Sequence, residues 1–412
     1  MKTASIVSIG NEILAGQTVD TNAAHLCAEL LSIGVPVVSS YTVGDEIERI
    51  VRAFALASAD AEVVIATGGL GPTDDDLTRQ ALAKFLGAEL KSQNELLEKM
   101  REYFTRRNLQ MAAKNEIQAF LPIGARTLAN NRGTAPGIRA ETAGKLFFAM
   151  PGVPLEMKQM FAESVLPELR QFAGDQAVVV RKLRCFGAGE STIAQRLGTI
   201  MQRGRNPLIN CTVEFGVITL HIVATAQGAK TAERMALKDE ESLRKTLGEL
   251  VYGSAEQSLG QVVGEKLARR RKTLAVAESC TGGLLAKLLT DIPGASEYFT
   301  CGWVTYSNQA KSSELGIPAD LIDKHGAVSE QVAEAMARGA RRRAGTDFAI
   351  GITGIAGPGG GSEQKPSGLV YVSVDSEQGC ETKRCLFTHN RRFVRLRSAQ
   401  TALNMLRLKL NV

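Results

Sequence analysis

The sequence predicts an α/β protein in which two α/β layered domains are joined by a small α+β domain. Three observations carry that prediction. Strand and helix patterns alternate over residues 1–172, lapse over 173–252 and return over 253–412. Each α/β stretch has a glycine-rich loop directly after an apolar strand. A chain of 412 residues also exceeds what one ordinary core supports.

Taken in order, residues 4–9 form a short apolar strand, and 21–33 have helical spacing with Leu26, Leu30 and Ile33 on one face. A second strand is predicted over 35–43, a helix over 46–59 and a third strand over 63–67. That strand runs into Gly68-Gly69-Leu70-Gly71-Pro72-Thr73-Asp74-Asp75-Asp76, with a helix from Leu77. In open α/β sheets ligands bind beyond the carboxyl ends of strands, where this loop falls. A helix over 94–107, a polar loop over 130–136 and a hairpin over 137–150 follow. Pro151-Gly152-Val153-Pro154 punctuates the chain before a helix over 155–172.

In the middle segment, 178–185 and 217–225 read as strands, and 191–201 and 232–247 as helices. The α/β rhythm then resumes with a helix over 259–271, a strand over 273–277 and a helix over 282–290. Further strands are predicted over 303–306, 348–352 and 369–374, with helices over 330–344 and 392–410. The two α/β stretches share no repeat and are taken as unrelated.

Composition bounds the function. Hydrophobic residues make up 44% and charged residues 22%, which are globular values. A net charge of +6 suits anionic small molecules and is too weak to argue for nucleic acid. Seven dispersed cysteines without C-x-x-C spacing read as reduced thiols of a cytoplasmic protein, and four scattered histidines argue against a histidine metal centre. No apolar run is long enough to span a membrane, and the first residues read as a strand, not as a signal peptide.

Two constellations carry chemistry. Ala277-Glu278-Ser279-Cys280-Thr281-Gly282-Gly283 lies where a strand turns into a helix, a place that suits an oxyanion or phosphate, or simply a helix cap. Thr305-Tyr306-Ser307-Asn308-Gln309-Ala310-Lys311 and the loop from Thr353 to Ser362 each follow another apolar strand. All three loops are therefore expected at one edge of a single sheet. A serine hydroxyl needs a base, and two are on offer. Lys311 can serve if burial lowers a lysine pKa from about 10.4 towards 7–8; alternatively a charged Lys311 activates Tyr306. Cys280 is the rival nucleophile, without a histidine in the motif to activate it. In the first domain, Asp74, Asp75 and Asp76 follow a glycine-rich turn; they are either helix caps or oxygen ligands for a divalent cation such as Mg²⁺.

The runs A-E-S-C-T-G-G, T-Y-S-N-Q-A-K and G-I-A-G-P-G-G-G-S-E-Q-K-P-S-G resemble the nicotinamide-nucleotide amidase domain at the C-terminus of CinA proteins. That resemblance implies hydrolysis of nicotinamide mononucleotide to nicotinate mononucleotide and ammonia, with no cofactor. It places the nucleophile at Ser279, the catalytic lysine at Lys311 and an active-site tyrosine at Tyr306. Substrate contacts are expected at Thr281, Gly282, Gly283, Asn308, Thr353, Gly354, Ala356 and Gly357. The family's arginine falls on Arg391, with Arg392 and Arg395 adjacent, as the expected phosphate ligand.

Gly10-Asn11-Glu12-Ile13-Leu14, Asp20-Thr21-Asn22, T-G-G-L-G-P-T-D-D-D-L-T and P-G-V-P-L-E-M resemble the CinA N-terminal domain, which is similar to molybdopterin-binding domains. Some CinA proteins hydrolyse the pyrophosphate of ADP-ribose there with a divalent metal. The resemblance implies Asp74, Asp75 and Asp76 as metal or phosphate ligands, with Glu12, Asn22, Gly68, Gly69 and Thr73 forming the nucleotide site. Asn11 departs from the Asp or Thr of many relatives. The alternatives are a pterin or nucleotide binder without turnover, and a regulatory scaffold that catalyses nothing. The middle segment resembles the KH-like linker domain of CinA. Its Gly187-Ala188-Gly189-Glu190 lacks G-x-x-G spacing, so a spacer or dimerisation element of a homodimer is expected and nucleic-acid binding is not.

Overall fold

The computed structural model describes residues 2–411. The chain divides into two compact units, Met1–Val180 with Ala224–Met235, and Arg181–Val223 with Ala236–Val412.

The first unit opens with β1 (Ala4–Ile9), a single turn α1 (Asn11–Leu14) and α2 (Thr21–Ser32), which Asp20 caps through the Ala23 N–H. β2 (Val37–Val43), α3 (Ile47–Asp60), β3 (Val63–Thr67) and α4 (Thr78–Leu86) continue the alternation. β4 (Leu90–Ser92), α5 (Asn94–Thr105), β5 (Phe120–Pro122) and β6 (Arg126–Leu128) lead to the hairpin β7 (Gly137–Thr142) and β8 (Lys145–Met150). α6 (Pro154–Met160) and α7 (Leu166–Ala173) are separated by a π-helical turn over Phe161–Val165.

The six-stranded sheet has the order β2-β1-β3-β8-β7-β6, parallel from β2 to β8 and antiparallel beyond. Alternate residues of β1 serve opposite cores. Ala4 and Ile6 join Leu26 and Leu30 of α2, while Val7 and Ile9 join Ile50 and Phe54 of α3. With helices on both faces, the inner parallel strands β1, β3 and β8 are buried almost throughout, while the edge strand β2 alternates.

In the middle segment β9 (Gln176–Cys185), α8 (Glu190–Leu197), β10 (Leu208–Glu214), β11 (Val217–Gln227), α9 (Ala229–Leu247) and β12 (Val251–Ser254) build a sheet of order β10-β11-β9-β12. α10 (Leu259–Arg270), β13 (Leu274–Glu278), α11 (Leu284–Thr290) and β14 (Phe299–Val304) follow. Then come α12 (Asn308–Leu315), α13 (Ala319–His325), α14 (Glu330–Ala344), β15 (Phe348–Gly354), β16 (Leu369–Ser376), β17 (Gly379–Leu386) and α15 (Arg391–Lys409). The sheet order is β14-β13-β15-β16-β17, with the first three strands parallel. Leu274 and Val276 face the core shared with α10 and α15, and Ala275 and Ala277 face α14.

Several boundaries differ from expectation for local reasons. The strand placed over 303–306 runs over Phe299–Val304, because the carbonyls of Thr305 and Tyr306 turn to Lys311 Nζ. The helix expected from Gly282 starts at Leu284, because Gly282 and Gly283 both have positive φ, 58° and 89°. Strand β17 and helices α12 and α13 were not anticipated: β17 (GCETKRCL) alternates weakly and is mostly polar. Trp303 packs on the α14-side core, and Arg341, in the last turn of α14, pairs with the buried Asp375 at 2.6 Å.

α14 rides directly on β15. A Cβ at Gly351 would lie 2.4 Å from the Ala333 carbonyl oxygen and 2.7 Å from the Ala337 nitrogen, both helix backbone. Gly351→Ala is expected to destabilise the second unit by about 1–3 kcal/mol. A lowered urea midpoint checks this, and an unchanged midpoint would show that the helix can shift freely.

Candidate active site

The parallel order of β14, β13 and β15 sends the loops that follow them to one end of the sheet, and there the structure brings Ser279, Lys311 and Tyr306 into one neighbourhood. Lys311 Nζ lies 3.2 Å from Ser279 Oγ. Both side chains are buried, at 1% and 8% exposed. Lys311 is drawn in by its own helix. Ser307 caps α12 through the Ala310 N–H at 3.1 Å, and one turn later Lys311 Nζ reaches back to the carbonyls of Thr305 (2.9 Å) and Tyr306 (3.4 Å).

Burial lowers the Lys311 pKa below the ordinary lysine value, opposed by the Cys280 sulfur. A neutral amine has two N–H bonds and one lone pair. In that form its hydrogens would match the two carbonyls and leave the lone pair for the Ser279 hydroxyl. This is the arrangement that a general base requires.

The helix-cap reading of the serine turn does not hold. Neither Ser279 nor Thr281 caps α11; Gly283 occupies that position without a side-chain bond. The first helical N–H groups go instead to the fully buried carboxylate of Glu278, from Leu285 at 3.0 Å and Ala286 at 2.8 Å. Gly282 N–H is committed to the Ser279 carbonyl at 3.1 Å, which removes it as an oxyanion donor. Among the described residues no acceptor takes the N–H groups of Thr281 or Gly283, so these suit a developing oxyanion. The Thr281 hydroxyl is buried and unpartnered. Arg395 clamps the same turn, with Nη2 donating to the Thr281 carbonyl at 2.6 Å.

Cys280 is buried, and burial pushes its thiol up to about 12, so it stays protonated at neutral pH. Tyr306 is 61% exposed, and its hydroxyl accepts from Arg391 Nη2 at 3.1 Å. Arg391 Nη1 also donates to the Gly357 carbonyl at 3.1 Å, so it joins the β14 and β15 loops. Thr353 is turned away, its hydroxyl donating to the Ala327 carbonyl at 2.7 Å. Gly354 ends β15, Ala356 is buried in the core and Asn308 stands exposed at the start of α12. His389 stacks on Phe393 at 4.1 Å, and Lys365 donates to the His325 carbonyl.

In the first unit a cleft of about 400 Å³ is lined by Glu12, Asp45, Gly68, Gly69, Asp75, Asp76 and Glu156. Gly68 has φ +103°, and a Cβ there would lie 2.0 Å from the Ile9 carbonyl. That contact obliges glycine where the loop leaves the sheet. Thr73 organises the acidic run. Its N–H and hydroxyl both donate to Asp76, at 2.8 and 2.5 Å, and the hydroxyl also contacts Asp75. Neither aspartate caps α4, whose cap position is Leu77 without a side-chain bond.

The three aspartates are not gathered together. Asp74 pairs with Lys114 at 3.0 Å and lines a separate depression. Asn22 is buried and holds the 151–154 turn through the Gly152 carbonyl at 2.8 Å. Asn11 N–H donates to Asp45 at 2.9 Å. The Asp45 carboxyl is raised above its ordinary value, first by burial and then by the charges of Glu12, Asp75 and Asp76, while the Asn11 N–H opposes this. An all-oxygen, crowded anionic donor set fits a hard divalent cation, although no three such side chains are already drawn into a ligand cluster among the described residues.

Comparison with known proteins agrees with this organisation. The model described as CinA C-terminal domain matches residues 256–410, the Damage-inducible protein CinA KH domain matches 180–253, and the Probable molybdopterin binding domain matches 5–171. The CinA-like protein of Desulfovibrio desulfuricans is 44% identical over 90% of this chain and 87% of its own. The chain belongs to the CinA family. The CinA-like protein of Dictyoglomus thermophilum is 39% identical over 98% of both chains. Among solved structures, the competence/damage inducible protein CihA from Agrobacterium tumefaciens is 40% identical, covering 37% of this chain and 94% of its own with a TM-score of 0.36.

Sequence reasoning passed over Glu278, Asp45 and Glu156. Glu278 stood inside the A-E-S-C run and was readable as the one acid directly before a helix start. For the CinA C-terminal domain, the Cys280 environment makes a direct prediction. Cys280→Ala should keep activity within about threefold, and iodoacetamide should leave the native protein active, because a buried thiol is inert. Rapid inactivation by the reagent, with Cys280 as the residue labelled, would reverse the assignment of the nucleophile.

Proposed function

We propose that the C-terminal domain hydrolyses the carboxamide of nicotinamide mononucleotide through an acyl-enzyme on Ser279, with Lys311 as general base. The observation that carries this reading is the 3.2 Å contact between two buried side chains, Lys311 Nζ and Ser279 Oγ. The amine takes the hydroxyl proton as Oγ attacks the amide carbon. Negative charge on the tetrahedral oxygen faces the Thr281 and Gly283 N–H groups. The Lys311 ammonium group returns the proton to the leaving nitrogen, and ammonia departs. Water then cleaves the ester with Lys311 again as base and releases nicotinate mononucleotide. Tyr306 and Arg391 stand at the rim, and Arg391 offers a guanidinium to the substrate phosphate.

For the N-terminal domain the proposal is hydrolysis of the ADP-ribose pyrophosphate. Glu12, Asp45, Asp75 and Asp76, with Glu156, would hold a divalent cation such as Mg²⁺. Such a cation neutralises pyrophosphate oxygens and activates water. Thr73 fixes the two aspartates, and Asn22 fixes the opposite turn of the cleft. Binding without turnover is the second reading, favoured by Asn11 at the position that departs from many relatives. The seven unpaired thiols support a reducing, cytoplasmic setting, and no helix among the described residues is long and apolar enough to cross a membrane. A homodimer belongs to the same proposal.

Wild-type protein incubated with nicotinamide mononucleotide should release ammonia and nicotinate mononucleotide together. Ser279→Ala and Lys311→Met should each lose at least about 10³-fold in kcat. No release by folded wild type would sink the amidase reading. The direction of the Lys311 shift sets the pH dependence: kcat/KM should rise with pH as Lys311 loses its proton, with a midpoint below about 10.4. A flat profile from pH 6 to 10 would remove Lys311 as the base.

With ADP-ribose, AMP release should require Mg²⁺ and fall about 10²-fold or more in Asp76→Asn, but stay within about threefold in Asp74→Asn, whose carboxylate lies outside the cleft. Binding of ADP-ribose without AMP release under any divalent cation would establish the second reading.

A further inference from the structure

The KH domain is expected to be a spacer or dimerisation element, and its β10–β11 hairpin also makes specific contacts with the helix that carries the rim arginines. Glu214 pairs with Val217, so Phe215 and Gly216 form a two-residue tip, at φ +45° and +76°. A phenylalanine with positive φ is strained and persists only where its surroundings hold it. Here the Phe215 ring lies 6.5 Å from the Phe393 ring, and the Arg392 guanidinium stands 5.5 Å from its centroid. Phe393 is backed in turn by His389.

The Gly216 carbonyl accepts from Arg397 Nη1 at 3.0 Å, and a Cβ on Gly216 would sit 2.0 Å from that same nitrogen. Arg397 also lies 4.5 Å over the Phe186 ring of the KH domain. Phe393 and Arg397 are four residues apart and share one face of α15. Arg391 and Arg395 are likewise four apart and share another, where they hold Tyr306, the Gly357 carbonyl and the Thr281 carbonyl.

We propose that the Phe215–Gly216 tip is a positioning element of the amidase site, fixing the first turn of α15 and so the place from which Arg391 acts. The inference rests on the amidase reading above and deepens it. Through it the KH domain sets recognition of the phosphate end of the substrate, without touching the substrate itself. Phe215 and Gly216 are thus positioning residues, whose loss loosens phosphate binding more than it slows bond cleavage.

The test uses the full chain with Phe215→Ala, Phe215→Tyr and Gly216→Ala, assayed on nicotinamide mononucleotide and on the riboside that lacks the phosphate. Phe215→Ala and Gly216→Ala are expected to raise KM for the mononucleotide about tenfold with kcat within about twofold, since small misplacements of a binding group are costly. Phe215→Tyr should restore the wild-type KM, and riboside turnover should not change. Equal losses on both substrates, or an unchanged KM, would overturn the proposal.

Amide hydrogen exchange over residues 389–397 is measured on the same variants and does not depend on activity. It should accelerate in Phe215→Ala and Gly216→Ala. Wild-type rates in both variants would overturn the claim that the tip holds the helix, even if nicotinamide mononucleotide proves not to be a substrate. Faster exchange in an inactive wild-type background would place the failure in the amidase reading alone.

Discussion

A lysine ammonium group taken out of water without a carboxylate partner is unfavourable by several kcal/mol unless it loses its proton or finds acceptors. Lys311 does not pair with an acid; it meets two carbonyls and a serine hydroxyl. The rest of the C-terminal sheet end is arranged around that placement. β14 must stop at Val304 so that the next two carbonyls can turn inward. Ser307 must cap α12 so that the helix begins in the register that aims Lys311 at them. Glu278 must hold α11, because the two glycines before it leave that helix without a side-chain cap of its own. Each device is local, and together they keep an amine and a hydroxyl in contact where water is largely excluded.

The N-terminal domain uses the opposite electrostatics at the equivalent place, the carboxyl end of a parallel sheet. There the glycine-rich turn leads into a run of acids, and carboxylates crowd one cleft. The crowding is visible in Asp45, whose proton is retained more strongly than usual because it is buried and because Glu12, Asp75 and Asp76 are near. Such a cleft would repel a bare phosphate unless a cation stood between them. The two domains thus share a fold class while calling for different chemistry.

Much of the fold was legible because strands buried on both faces are continuous apolar runs, and the helices between them keep a clear period. The contact of Ser279 with Lys311 was approachable for the same reason: each motif followed a strand, and parallel strands put their following loops together. What escaped depended on long-range partners. Asp45 and Glu156 lie far in sequence from Asp75 and Asp76, and no spacing rule joins them. Asp74 looked equivalent to its neighbours, but Thr73 selects only Asp75 and Asp76. The polar pattern of β17 hid it, since an edge strand needs little apolar face.

The start of α15 shows where stability and binding part. Elsewhere the basic clusters obey the helix dipole: Arg269 and Arg270 end α10, and Arg341, Arg342 and Arg343 end α14. α15 breaks the rule, with Arg391, Arg392 and Arg395 in its opening turns and no acid there. Positive side chains at the positive end of a helix are unfavourable, by about 0.3–1 kcal/mol each. The structure offsets this with carbonyl acceptors at Gly357 and Thr281, not with carboxylates, so the local charge is left uncompensated. An anion arriving at this end would meet aligned N–H groups and guanidinium groups together. The unfavourable charge of the unliganded helix would then become part of the attraction for a phosphate.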